Sequence, residues 1–94
     1  MKPILEISQA ELADIKQKPQ TEIVDIREHL EFEDFNIGGI NVPAHLLNEN
    51  LDRLETYQHL IVVCSNGTRS HILSRVMAKK LPMIQMYHLS EGIY

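Results

Sequence analysis

The chain contains a single cysteine, Cys64, and it stands where a nucleophile is best served. It closes the apolar run Leu60–Cys64 (LIVVC), and Ser65, Asn66, Gly67, Thr68, Arg69 and Ser70 follow before a helical pattern begins. In open α/β sheets ligands collect beyond the carboxyl ends of the strands, and a helix N-terminus offers unpaired N–H groups with a partial positive charge. A thiolate placed there is stabilised. A free thiol titrates near about 8.5, and such surroundings lower that by one to several units, enough to make the anion abundant at neutral pH.

The loop residues fit that chemistry. Gly67 lets the backbone curl so that successive amides point inward as an anion-binding nest, and Asn66 tolerates a left-handed conformation beside it. Arg69 supplies a permanent cation with a planar fork of donors, suited to a sulfonate-type leaving group or to locking loop carbonyls in place. Thr68 and Ser70 are N-cap types, and Ser70 is assigned a structural role with a contact to the sulfur. The bland alternatives are a buried apolar filler for Cys64 and a solvated helix-start residue for Arg69.

Asp25 and Arg27 fall at the end of another strand, and neighbouring parallel strands finish on one edge. An ion pair holding the first loop is favoured for them over direct substrate contact. The histidines His29, His45, His59, His71 and His88 show no metal-ligand spacing with one another or with Cys64, so no metal is expected and surface positions are assigned to most. His71, just after Arg69, is the one that could face the pocket mouth. Glu31, Glu33 and Asp34 read as a solvated acidic face, and Lys79-Lys80 as positive charge at a helix C-terminus.

These residues need a scaffold, and the hydrophobic pattern supplies one. Ile4–Ile7 reads as an opening strand, and Ser8 with Glu11 as a capping box starting a helix that Lys18-Pro19 ends. Glu22–Ile26 is a β-branched strand, followed by a charged segment whose Leu30, Phe32 and Phe35 are expected to pack a short helix inward. Gly38-Gly39 breaks it, Ile40–Val42 forms a third strand, and Leu46–Tyr57 carries leucines at helical spacing. Leu60–Cys64 is a run of the kind buried on both faces of a parallel sheet, which makes it the central strand. A helix over Ser70–Leu81 and a fifth strand over Ile84–Leu89 complete an alternation that implies a parallel sheet with helices on both faces.

Composition agrees with one domain over residues 1–94. The 94 residues are 44% hydrophobic and 23% charged, too apolar for disorder. A net charge of -4 without a dense Lys/Arg run argues against nucleic acid as a partner. The N-terminal segment lacks the continuous apolar stretch of a signal peptide or membrane span, so a cytoplasmic protein with no membrane partner and a reduced thiol is expected.

Three segments in this order, Val24–Glu28 (VDIRE), Phe35–Pro43 (FNIGGINVP) and IVVCSNGTRS, resemble the rhodanese-like domains. The resemblance implies a five-stranded parallel sheet and a sulfurtransferase in which Cys64 carries sulfur as a persulfide. The implied partners are a donor such as thiosulfate or a persulfide and a thiol or cyanide acceptor, with a protein sulfur carrier as an alternative and no cofactor. Related phosphatases and arsenate reductases of the same fold use a cysteine-to-arginine loop one residue longer than the six of Cys64–Arg69. Two departures stand out: Asn36 replaces a frequent histidine, and the chain stops at Tyr94, where the family usually continues into a final helix.

Overall fold

The computed structural model describes residues 2–94. Five strands, β1 (Leu5–Ile7), β2 (Thr21–Asp25), β3 (Ile40–Asn41), β4 (His59–Val63) and β5 (Gln85–Leu89), form one all-parallel sheet in the order β1-β5-β4-β2-β3. The LIVVC strand is central, as its unbroken apolar run demands. Alternation divides the sheet into two cores. Leu60, Val62 and Cys64 face one side with Val24, Met77, Leu81 and Met86, while Ile61 and Val63 face the other with Ile7, Tyr87 and Leu89.

Helix α4 (Thr68–Lys80) covers the first side through Met77 and Ala78, and α1 (Gln9–Ile15) covers the second through the half-buried Leu12 and Ile15. The Ser8–Glu11 capping box forms in both directions, at 2.9 and 3.2 Å. Leu54 of α3 (Leu51–Leu54) adds to the first core.

Two expectations are corrected. Leu46–Tyr57 is not one helix but two 3-10 turns, Ala44–Leu46 and Asn48–Asn50, followed by the single turn of α3. Leu47, Leu51 and Leu54 still pack on the first core, but the Asn50 side chain donates to the Leu46 carbonyl at 2.9 Å, competing with the backbone bonds that a continuous helix needs. Helix α2 (His29–Asp34) buries none of its residues. Leu30 and Phe35 are exposed, and Phe35 stacks on Tyr94 with ring centroids 5.4 Å apart instead of entering a core. Among the described residues no helix is long and apolar enough to cross a membrane.

Candidate active site

Cys64 lies one residue past β4, fully buried, and its side chain turns toward α4. Gly67 adopts the left-handed conformation (φ 88°) and caps α4, so the helix starts at Thr68, and the expected capping by Thr68 or Ser70 is not observed. Asn66 does not share that conformation. Its Oδ1 accepts from the Thr68 amide at 3.0 Å and holds the turn. This brings the Ser70 amide and hydroxyl to 3.3 and 3.2 Å from Cys64 Sγ. Burial pushes the thiol pKa up, but the Ser70 hydroxyl and the amides of Ser70, Gly67 and Asn66 outweigh it, and the net shift is downward.

Backbone contact fixes the loop from below. A Cβ at Gly67 would lie 2.2 Å from the Ser90 carbonyl oxygen, and one at Gly92 would lie 2.2 Å from that of Ser65. The Ile93 amide donates to the Cys64 carbonyl at 3.1 Å, so the turn after β5 is the floor of the cysteine loop.

Arg69 does not reach the sulfur in a hydrogen bond. Its guanidinium makes a two-point pair with Glu31 of α2, at 2.9 and 3.1 Å, and donates to Ser65 Oγ at 3.2 Å. Glu31 keeps the solvent exposure expected of it and is in addition the partner of Arg69. Arg69, together with the Glu28 amide, holds its carboxyl at about 2. Asp25 and Arg27 form a buried ion pair at 2.9 Å beneath the β2–α2 junction. Arg27 also donates to the Phe35 carbonyl, and Asn41 ties the Asp25 and Arg27 carbonyls together, so the pair braces the first loop without touching Cys64.

A residue that sequence reasoning missed stands behind Ser70. His88, read as a surface histidine, is buried, with Nε2 2.7 Å from Ser70 Oγ and Nδ1 2.6 Å from Glu6 Oε1. The available signal was parity: Met86 and His88 alternate onto the face that carries Val62 and Cys64, and Glu6 pairs directly with His88 across β1 and β5. His71 lies against the same ring, with centroids 5.7 Å apart. Glu6, His71 and His88 each bring an atom within 4.8 Å of the others, and Glu6 and His88 are bonded to each other. They line a cavity of about 400 Å³ with Asn66, Gly67 and Thr68, and His71 does sit at its edge.

The model of the Rhodanese-like domain matches residues 8–94. The chain belongs to the rhodanese-like domain family. No curated protein matches this rhodanese-like chain. Among solved structures it resembles reduced CoADR-RHD of Bacillus anthracis, with TM-score 0.81 and 21% identity over 95% of this chain, although it spans only 16% of that one. A thiosulfate sulfurtransferase of Pseudomonas aeruginosa aligns with TM-score 0.80 and 20% identity, over 94% of this chain and 17% of the other. A rhodanese-like domain protein of Staphylococcus aureus matches across most of both chains, 94% and 86%, with TM-score 0.77 and 20% identity. These likenesses establish the parallel-sheet fold.

Proposed function

We propose that this rhodanese-like chain is a sulfurtransferase that carries a sulfane sulfur on Cys64. The observation that supports it is the ring of donors aimed at one buried sulfur: the Ser70 hydroxyl and the amides of Ser70, Gly67 and Asn66. Such donors stabilise the thiolate and the extra charge that arrives with a second sulfur. The Cys64 thiolate attacks the outer sulfur of thiosulfate, the S–S bond breaks, and sulfite leaves with the electron pair. A thiol or cyanide then attacks the outer sulfur of the persulfide, and Cys64 departs as thiolate. Cys64 has no exposed surface, and the Asn66 and Gly67 amides of the Ser65–Gly67 arc face its sulfur. Arg69, held by Glu31 and Ser65, shapes that arc and leaves the amides as the sulfur-binding groups. The six residues from Cys64 to Arg69 make a ring suited to one sulfur atom and tight for a tetrahedral phosphate, which argues against a phosphatase or arsenate reductase.

The test is intact mass after incubation with thiosulfate, for the wild type and Cys64→Ser, followed by cyanide and thiocyanate detection. Gain of one sulfur on the wild type alone, released as thiocyanate, is the expected result. Failure of both readouts would remove thiosulfate as donor and leave a protein persulfide to be tried in its place.

A further inference from the structure

Cys64 has a problem that its own loop does not solve: a thiol without exposed surface must send its proton somewhere before it can attack. A continuous chain of polar atoms leads away from it. Ser70 Oγ lies 3.2 Å from Cys64 Sγ and 2.7 Å from His88 Nε2, and His88 Nδ1 lies 2.6 Å from Glu6 Oε1. Exposure rises along the path, from 0% at Cys64 and Ser70 through 2% at His88 to a Glu6 side chain 45% exposed at the cavity.

Counting hydrogens sets the direction of each bond. A carboxylate only accepts, so Nδ1 of His88 carries the hydrogen shared with Glu6, and Nε2 of the neutral ring is an acceptor. Ser70 has one hydroxyl hydrogen, which then goes to Nε2, and the thiol hydrogen points at Ser70 Oγ. We propose that Ser70, His88 and Glu6 form a proton relay that takes the Cys64 thiol proton to the imidazole and so generates the nucleophile. The S–H bond breaks as Ser70 Oγ takes that proton, and the serine's own proton passes to His88 Nε2. The products are a thiolate, an unchanged serine and an imidazolium, with the net charge of the cluster conserved. The product state is fully hydrogen-bonded as well. Nε2–H faces Ser70 Oγ and, at 3.2 Å, the Gly67 carbonyl, while Nδ1–H stays on Glu6 and the Ser70 hydroxyl turns to the thiolate.

Other charged and titratable groups surround the relay. His71 faces His88 from α4 and is engaged by Arg75 at 3.2 Å, and Arg69 approaches the thiol side with its charge taken by Glu31. The relay rests on the reading that Cys64 is the nucleophile, and His88 and Glu6 act in it as positioning residues. The net downward shift of the thiol agrees with this arrangement but does not carry it.

The experiment follows thiolate ultraviolet absorbance against pH, with Cys64→Ser subtracted, in the whole chain carrying His88→Gln, Glu6→Gln or Glu6→Asp. Loss of the imidazole or of the carboxylate charge should raise the thiolate midpoint by roughly one pH unit, with thiolate at neutral pH falling several-fold. Glu6→Asp should restore most of it. Unchanged midpoints in both Gln variants would overturn the relay. Glu6 is half-exposed, so Glu6→Gln decides the matter if His88→Gln fails to fold. No sulfur donor enters this measurement: a shifted midpoint without sulfur transfer keeps the relay and sinks the sulfurtransferase reading, and the reverse pattern sinks the relay alone.

Discussion

Gly92 and Ser65 are in backbone contact: a Cβ on Gly92 would meet the Ser65 carbonyl oxygen at 2.2 Å and the Asn66 Cα at 2.5 Å. With a φ of 78° as well, position 92 has neither the room nor the conformation for a side chain. Gly92→Ala should therefore cost about 2–4 kcal/mol and displace the cysteine loop. Chemical denaturation and the thiocyanate assay check it, and a variant with wild-type values on both would show that the turn after β5 does not support the loop.

Arg27 and Asp25 are both buried, and each is the other's charge partner. Arg27→Leu strands a carboxylate in the core and should lower stability by roughly 3–5 kcal/mol, measured in denaturant. Replacing both with apolar residues should recover much of that loss, because the pair's own desolvation disappears with it.

Arg69 holds the Glu31 carboxyl at about 2, below its ordinary 4.5. A depressed carboxyl contributes stability above its unfolded pKa and loses it as pH falls through the folded one. The wild type should therefore exceed Glu31→Gln in melting temperature above pH 4.5, with the gap closing toward pH 2. Both partners are well exposed, so solvent screening keeps the gap under about 1 kcal/mol. A gap independent of pH would separate it from the ion pair.

His59 at the start of β4 has a buried Nδ1 with no hydrogen-bond partner, and burial, assisted by Lys18 and Lys2, pushes its pKa down. The unfolded chain binds that proton more readily, so stability falls as pH drops from 6.5 through the lower folded value. His59→Leu should be stabilising, and more so in acid than at alkaline pH. Melting temperatures across that range test it, and parallel pH profiles would count against this origin.

The central strand and its loop were legible because LIVVC and CSNGTRS need only local pattern: a strand buried on both faces, then a glycine that must go left-handed. The single helix over Leu46–Tyr57 was misread because leucine spacing does not register the Asn50 side chain competing for the Leu46 carbonyl. Leu30 and Phe35 looked like core residues, yet α2 buries none of its residues and Phe35, just past its end, stays exposed, and only packing decides that. The Arg69–Glu31 and His88–Glu6 pairs join residues 38 and 82 positions apart, and strand order brings them together. Given that order, alternation alone would have placed Glu6, His88 and Cys64 on one face.

Strand β1 consists of three residues and pairs only with β5. A short edge strand is the part of a sheet that opens first, at a free-energy cost well below global unfolding. When it does, the partner of His88 Nδ1 leaves with it, while the buried residues around β4 stay packed. The relay's terminal carboxylate is thus fastened to one of the sheet's two short edges. Amide exchange at Glu6 and Ile7 would then report how often the imidazole stands without its counter-ion, and warming would alter the ionisation of the thiol before the protein as a whole melts.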